Sequence, residues 1–206
     1  MDKSRQASLI YDKIAKSYFK KFPKPSEYVD EFLSLIPKNG KILDAGCGPG
    51  IDSNYMDSKG FRVVGVDMSK EMIKLAKQNL PKITFKLSDL RKINFSENSF
   101  DGIFASFSLI HLSKVNILPL LKKFNKILKK EGIIYISLQS GESKEIYITE
   151  PLKQDERIFL NIISFEEINE LLVKSKFSII KKFERKPKSE SEFNFTKLFI
   201  LSKKLK

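Results

Sequence analysis

Residues 41–50 read KILDAGCGPG, an apolar strand that runs directly into a turn with glycine at every second position. Residues 62–67 read RVVGVD, a second predicted strand that ends on the carboxylate of Asp67. In a parallel sheet the carboxyl ends of such strands lie at one edge, where ligands bind. A glycine turn beside an acidic strand end suits a ligand that carries a ribose, because ribose hydroxyls need an acceptor. The pair therefore predicts an α/β fold with a nucleoside site.

The spacing of the glycines narrows the ligand. Dinucleotide-binding turns carry glycine in the frame G-x-G-x-x-G, which seats a pyrophosphate on the next helix. Here Gly46, Gly48 and Gly50 form the frame G-x-G-x-G, the third fingerprint position holds Ile51, and no P-loop Gly-Lys-Ser/Thr follows. A zwitterionic ligand with an ammonium group near the turn and its carboxylate, Asp44, fits better than a pyrophosphate.

Composition favours one globular domain over residues 1–206. A chain of this length with 41% apolar residues can bury a single core. No apolar run approaches the ~20 residues of a membrane span, and residues 1–6, MDKSRQ, do not lead into a secretion signal, so we expect a cytoplasmic protein without membrane contact. One cysteine and one histidine cannot make an internal disulfide or a His/Cys metal site, so no metal is expected.

The net charge of +13 allows two interpretations. Clustered basic residues attract phosphate, which would indicate a nucleic-acid partner. However, only five of the 38 basic residues are arginine, and the lysines are spread along the chain in short clusters. A solvated lysine surface is the interpretation we favour, with nucleic acid kept as an alternative.

Strand and helix patterns alternate along most of the chain, which predicts a mostly parallel, doubly wound sheet. Residues 1–37 read as a helical cap in two pieces, broken at residues 22–25 (FPKP), and Ser26 is a candidate cap for the second piece. Ser69 and Ser164 are predicted to cap two later helices. Residues 139–163 are polar and interrupt the alternation, so we expect them to be an irregular insertion that acts as a lid over a substrate.

Five further stretches accompany the glycine turn and Asp67. They are residues 11–18 (YDKIAKSY), 87–90 (LSDL), 99–105 (SFDGIFA), 127–132 (ILKKEG) and 199–203 (FILSK). In order and spacing the set resembles the class I S-adenosylmethionine-dependent methyltransferases, in their small-molecule branch. The resemblance implies a Rossmann-like, doubly wound sheet of seven strands, mostly parallel with an antiparallel last strand, and helices on both faces. It also implies S-adenosylmethionine as cofactor and S-adenosylhomocysteine as product.

The predicted cofactor-binding residues are Tyr11, Tyr18, Asp44, Gly46, Cys47, Gly48, Asp67, Met68, Asp89, Leu90 and Ser106. Gly46 and Gly48 permit close backbone approach to the methionine portion of the cofactor, with Cys47 between them. Asp67 is expected to accept hydrogen bonds from both ribose hydroxyls, or else to cap the helix that follows.

The other assignments are less direct. By resemblance, Met68 packs on the adenine, Asp89 and Leu90 contact its edge, and Ser106 lies against the methionine portion; capping of a short turn is the alternative for Asp89. Tyr11 and Tyr18 are seven residues apart, hence on one helical face, and either close over the cofactor or pack the helix.

His111 is the one residue that invites a catalytic assignment. It is the only histidine in the sequence and follows the fourth strand, where a methyl acceptor would enter. The alternative is a hydrogen-bonded turn residue. Methyl transfer from a sulfonium needs alignment and desolvation more than it needs a base, so a base at His111 is optional.

Residues 105–108 read ASFS, where enzymes that methylate exocyclic amines of nucleic acids carry Asn-Pro-Pro-Tyr or Asp-Pro-Pro-Tyr. This departure favours a small-molecule acceptor. Two alternatives stay open: an RNA methyltransferase of the kind that modifies tRNA wobble uridines, and an S-adenosylmethionine-binding protein without catalysis. We expect a monomer or a homodimer.

Overall fold

The computed structural model of the chain describes residues 2–190 and 192–205; Met1, Ser191 and Lys206 lie outside these ranges. The strands are β1 Lys41–Ala45, β2 Arg62–Asp67, β3 Thr84–Leu87, β4 Phe100–Ser106, β5 Leu128–Ser140, β6 Lys144–Glu150, β7 Lys153–Ile162, β8 Phe177–Arg185 and β9 Thr196–Lys204. The helices are α1 Lys3–Lys21, α2 Val29–Leu33, α3 Ile51–Ser58, α4 Lys70–Asn79, α5 Lys114–Ile127 and α6 Phe165–Lys174, with single 3₁₀ turns at Leu90–Lys92 and Leu109–His111. Within the described ranges no helix combines the length and the apolar character needed to cross a membrane.

Seven strands form one sheet in the order β3-β2-β1-β4-β5-β9-β8. The pairs β3-β2, β2-β1, β1-β4 and β4-β5 are parallel, whereas β9 runs antiparallel to both of its neighbours. The predicted fold class, including the antiparallel last strand, is confirmed. The winding reverses between β1 and β4, which places the carboxyl ends of β1, β2 and β4 around one crevice.

Helices cover both faces of the sheet. Because alternate strand residues point to opposite sides, each strand contributes side chains to both layers. On β4, Ile103 joins a core cluster formed with α5 and α6, whereas its neighbour Phe104 joins a cluster formed with α2, α3 and α4. Phe104 stacks on Tyr135 of β5 with ring centroids 4.2 Å apart. The two layers hold the central strands rigidly and fix the crevice at their ends.

Residues 139–163 differ from expectation. They contain the ordered antiparallel hairpin β6-β7 rather than an irregular segment. Its apolar face packs on α1, where Ile148 and Ile158 meet Ala7 and Ile10. The alternation of polar and apolar residues in β6 leaves one face of the hairpin for this contact and the other for solvent.

The predicted helix caps are confirmed at two of three positions. Ser69 Oγ accepts a hydrogen bond from Met72 N and Ser164 Oγ accepts one from Glu167 N, both at 3.2 Å. Ser26 does not cap α2, which begins at Val29. Helix α5 ends at Ile127, because the buried, extended Leu128 already starts β5.

Candidate functional site

Two adjoining cavities lie at the carboxyl ends of β1, β2 and β4. The first, of about 130 Å³, is walled by the ends of these strands, by the 3₁₀ turns and by α1; the second, of about 610 Å³, is walled by residues 21–27, the start of α3, the hairpin and the segment around β9. The residues common to both walls are Tyr11, Tyr18, Gly46, Gly48, Ser106 and Phe107. A ligand that passes these residues therefore occupies both compartments.

The glycine turn is fixed by its own backbone. The N–H groups of Gly46 and Cys47 both donate to Val66 O, at 2.8 and 3.0 Å. Gly46 has φ of +86°, and a Cβ there would come within 2.2 Å of Ser108 Cβ. Gly48 has φ of +50° and faces open space. Only glycine tolerates both the positive φ and the close approach to Ser108 at position 46. The N–H groups of Gly46 and Cys47 are engaged with Val66 O and are not free to bind a phosphate.

Asp67 joins the turn to the next helix. Its Oδ2 accepts from Gly48 N and its Oδ1 accepts from Ser69 N, each at 2.8 Å. Burial raises the pKa of this carboxyl, against the lowering effect of the backbone donors. A carboxylate offers about four acceptor positions, so two remain for a ligand. The side chain that caps α4 is thus that of Ser69, while Asp67 holds the backbone of Ser69 and lies on the wall of the first cavity.

Met68, Asp89 and Leu90 line the first cavity together. Asp89 Oδ1 accepts from Arg91 N at 2.8 Å, which caps the 3₁₀ turn, and its Oδ2 lies 2.6 Å from Arg91 Nη2. Arg91 also pairs with Asp2 at 2.7 Å and holds the pKa of Asp2 down, to about 2. The capping contact of Asp89 is therefore present, and its contact with an adenine stays a prediction.

Ser106 ends β4 at the junction of the two cavities. Its Oγ lies 2.8 Å from Ser26 Oγ and 3.2 Å from Ser137 Oγ. Ser26 in turn donates through N and Oγ to the carboxylate of Asp52 on α3, both at 2.7 Å. This chain of polar contacts ties the segment before α2 to the sheet, which is the role that Ser26 has in place of a helix cap.

Tyr11 and Tyr18 face the cavities from α1, as their spacing predicted. Their rings meet edge to face with centroids 5.9 Å apart, and both line both cavities. Burial is the main cause that raises the pKa of each phenol. Both hydroxyls are therefore neutral hydrogen-bonding groups at physiological pH.

His111 lies in the wall of the first cavity with both ring nitrogens engaged. Nδ1 is 2.9 Å from Phe159 O, which can only accept, so Nδ1 carries the proton; Nε2 then accepts from Tyr11 Oη at 2.9 Å. Burial lowers the pKa of His111 to about 4. The ring is neutral and ties α1 to the hairpin, so a role as a base would require Tyr11 to release Nε2.

Asp44 and Cys47 lie deeper. Asp44 lines neither cavity; its Oδ2 accepts from Ser53 Oγ at 2.5 Å, which orients α3 against β1. Burial raises the pKa of Asp44 and that of the Cys47 thiol, which borders the second cavity. Cys47 is thus a neutral thiol with no nucleophilic activation. In the part of the chain that is described, no cluster of three or more His, Cys, Asp or Glu side chains could hold a metal ion.

Sequence reasoning missed the polar groups of the second cavity. They include the partly or fully buried side chains of Asp52, Gln139, Glu150, Arg185, Glu192 and Lys197, together with Glu27 and the exposed Lys21, Lys24 and Lys188. Glu150 ends β6 and Lys197 lies in β9, at opposite ends of the variable segments. The alternation of residues 144–150 was a visible signal for a strand and would have placed Glu150 beside a hairpin turn. No local pattern marks the others, because distant segments bring them together.

Residues 42–132 match the family described as a methyltransferase domain. The malonyl-[acyl-carrier protein] O-methyltransferase of Hamiltonella defensa is 29% identical over 135 residues, which cover 65% of this chain and 52% of that protein. The chain spans about half the length of the first curated relatives it matches.

Solved structures share the fold. An S-adenosylmethionine-dependent methyltransferase from Methanosarcina mazei superposes with a TM-score of 0.77 at 19% identity, covering 85% of this chain and 97% of that one. A Burkholderia thailandensis 1,6-didemethyltoxoflavin-N1-methyltransferase, solved with its acceptor and S-adenosylhomocysteine, gives a TM-score of 0.65 at 19% identity and covers 98% of this chain and 80% of its own. At 19% identity, both likenesses show the shared fold alone.

Proposed function

We propose that the chain is a class I S-adenosylmethionine-dependent methyltransferase, which transfers a methyl group from S-adenosylmethionine to a small-molecule acceptor; the match of residues 42–132 to a methyltransferase domain supports this. The observation that carries the proposal is the placement of Asp67 beside the glycine turn, on the wall of a cavity at the topological switch point. Two acceptor positions of its carboxylate remain for the two ribose hydroxyls.

The other residues of the first cavity hold the rest of the cofactor. Met68 supplies apolar contact for the adenine, and Asp89 and Leu90 contact its edge. Gly48 gives the methionine portion room to approach the backbone, because nothing lies within 4 Å of a Cβ built there. Tyr11 and Asp44 act in different ways: Tyr11 covers the ligand from α1, whereas Asp44 orients the turn from behind through Ser53.

Ser106, Cys47 and Tyr18 flank the passage to the second cavity, which receives the acceptor. Bound S-adenosylmethionine supplies an activated methyl group. The chain's own residues align the acceptor with it and exclude water, which suffices for an in-line displacement. His111, neutral and hydrogen-bonded on both sides, serves to position α1.

Most of the residues that line the acceptor cavity lie outside the matched residues 42–132. Residues 1–37 supply one wall, and residues 139–163 act as a lid in the form of the hairpin. The relatives differ in the atom they methylate, since one is an O-methyltransferase and another an N1-methyltransferase. The variable segments of a single domain therefore set the acceptor.

Calorimetry with Asp67→Ala tests the cofactor contact. We expect wild type to bind S-adenosylmethionine and S-adenosylhomocysteine, and the variant to bind both about 1.5–3 kcal/mol more weakly, the size of a lost charge-assisted hydrogen bond. Asp57→Ala, which removes an exposed carboxylate from α3, is the matched control and should leave both affinities unchanged. Equal affinities in wild type and Asp67→Ala would remove the proposed ribose contact.

The charge of +13 supports one alternative acceptor, an RNA. The matched residues 42–132 are compatible with either acceptor, because most of the wall of the second cavity lies outside them. A protein that binds S-adenosylmethionine without transfer is the other alternative. Turnover with any member of a metabolite panel, measured as S-adenosylhomocysteine formed, separates an enzyme from such a binding protein.

A further inference from the structure

Glu150 is a buried acidic side chain with one oxygen unused. It ends β6 with 4% of its surface exposed and lines the second cavity. Its Oε1 accepts from Leu152 N at 3.2 Å, whereas its Oε2 has no hydrogen-bond partner among the residues that the structure describes. Burying a carboxylate oxygen without a hydrogen-bond donor costs free energy. A ligand that donates a hydrogen bond to Oε2 would recover it.

The cations that are set into the wall of the same cavity, Lys197 and Arg185, already have partners. Lys197 Nζ donates to Gln139 Oε1 at 2.8 Å and to Phe195 O at 3.1 Å. Arg185 pairs with Glu27 and with Glu192, at 2.7 Å in both cases. These side chains build the wall of the cavity and satisfy each other. Glu150 differs from them in having acceptor capacity left over.

Glu150 lines the same cavity as Tyr11 and Tyr18. Its charge contributes to the raised pKa of Tyr11 and of Tyr18, the two phenols that line both compartments, although burial is the larger cause in each. Burial also raises the pKa of Glu150 itself. Glu150 therefore belongs to the wall of the cavity that would receive the acceptor.

The rest of the second cavity supplies apolar contact. Four phenylalanines, Phe22, Phe107, Phe193 and Phe199, line it together with Ile110. Aromatic and aliphatic walls with one unsatisfied polar group are typical of a site for an apolar small molecule with a single directed hydrogen bond. The cavity of about 610 Å³ is large enough for such a molecule.

We propose that Glu150 binds the methyl acceptor through an N–H or O–H group, so that the acceptor is an aromatic or apolar amine or alcohol and not a carboxylate. This inference rests on the proposed function, which makes the ligand of the second cavity a methyl acceptor. The binding of that ligand by Glu150 depends on the cavity alone. A carboxylate ligand would place a second negative charge beside Glu150, and the two cations set into the wall, Lys197 and Arg185, are engaged, whereas Lys21, Lys24 and Lys188 are exposed to solvent.

Three fragments with the same ring test the recognition: benzylammonium, benzyl alcohol and benzoate. Each is titrated by calorimetry into wild type, Glu150→Gln and Asp155→Asn, with and without saturating S-adenosylhomocysteine. Asp155 is an exposed acidic residue of the same hairpin and is the matched control. Thermal unfolding of each variant verifies that it is folded.

We expect wild type and Asp155→Asn to bind benzylammonium and benzyl alcohol more tightly than benzoate. Glu150→Gln should bind benzylammonium about tenfold more weakly, the effect of one charge-assisted hydrogen bond, and should bind benzoate more tightly than wild type does. Removal of an unpaired buried charge should not lower the unfolding temperature of Glu150→Gln.

Benzoate as the preferred fragment, an unchanged order in Glu150→Gln, or no binding by any fragment would each overturn the inference. Failure of the proposed function has a different signature. If S-adenosylhomocysteine does not bind while the fragments show the expected order, the methyl donor is wrong and the recognition by Glu150 stands. If S-adenosylhomocysteine binds but the fragments do not show the expected order of affinities, the methyl donor stands and the recognition by Glu150 is wrong.

Discussion

His111 ties three elements together through one neutral ring. Its contacts with Tyr11 on α1 and with Phe159 on β7 need Nδ1 protonated and Nε2 free of a proton. The sequence identified this residue as the sole histidine but could not show that both nitrogens are occupied, since Tyr11 and Phe159 are distant in the chain. The structure therefore shifts the emphasis from base chemistry to the anchoring of α1.

This anchoring predicts a pH dependence of stability. The folded pKa of about 4 lies below the ordinary value of 6.5, so unfolding takes up a proton between these values. The stabilisation is fully present above pH 6.5 and declines as the pH falls toward 4, by up to about 1.4 kcal/mol per pH unit. Urea unfolding of wild type and His111→Gln across this range measures it.

The comparison with His111→Gln isolates the histidine, because the buried carboxyls of Asp44, Asp52, Asp67 and Glu150, whose raised pKa values act with the opposite sign, are common to both proteins. The stability advantage of wild type should shrink as the pH decreases from 6.5 to 4. An advantage that is the same at every pH would contradict a depressed pKa of His111.

Among the elements, α1 and the hairpin form one cover over the site. Lys3 pairs with Glu145 at 2.6 Å, Lys13 pairs with Glu156, and Ser69 Oγ donates to Asp12 at 2.6 Å. The ion pairs are partly exposed and each contributes little. The cover is thus held by small apolar and polar contacts, and we expect its displacement when a ligand enters the first cavity.

Hydrogen exchange should report this displacement. We expect saturating S-adenosylhomocysteine to slow amide exchange in α1 and in the hairpin β6-β7 more than in α6, which lines neither cavity. The reason is that ligand contacts from Tyr11 and Tyr18 favour the closed cover. Protection restricted to the glycine turn would show that α1 takes no part in binding.

The elements also show how far sequence patterns reach. The glycine turn, β1, β2 and the caps at Ser69 and Ser164 were predictable, because each depends on residues adjacent in the chain. The hairpin was missed because charged residues flank Ile146 and Ile148, so that the segment was interpreted as polar and irregular. Its apolar face is explained by α1, more than 130 residues away, and no local signal reports such a contact.

The whole molecule carries its excess of positive charge on a dispersed set of lysines. Some of them are engaged, as in the pairs Lys129–Asp101 at 2.8 Å and Lys203–Glu131 at 3.2 Å. Arginine is the residue that makes bidentate phosphate contacts, and the sequence has only five arginines, spread over positions 5–185. The charge distribution favours solubility over a defined nucleic-acid surface.

Filter retention of total tRNA at increasing salt tests this view. We expect binding at low ionic strength, released at physiological salt and by heparin, as for nonspecific attraction between a basic protein and a polyanion. Heparin is the matched competitor, since it carries charge without bases. Saturable retention at physiological salt that heparin does not displace would favour the RNA alternative.

The order of strands has a consequence for synthesis. Strand β9 lies between β5 and β8 but follows both in the chain, so a ribosome releases β8 before the strand that connects it to the sheet. Until β9 emerges, the apolar β5 presents an unpaired edge to other nascent chains. Closure of the sheet thus waits for residues 196–204, and aggregation competes with folding mainly in the interval before they arrive.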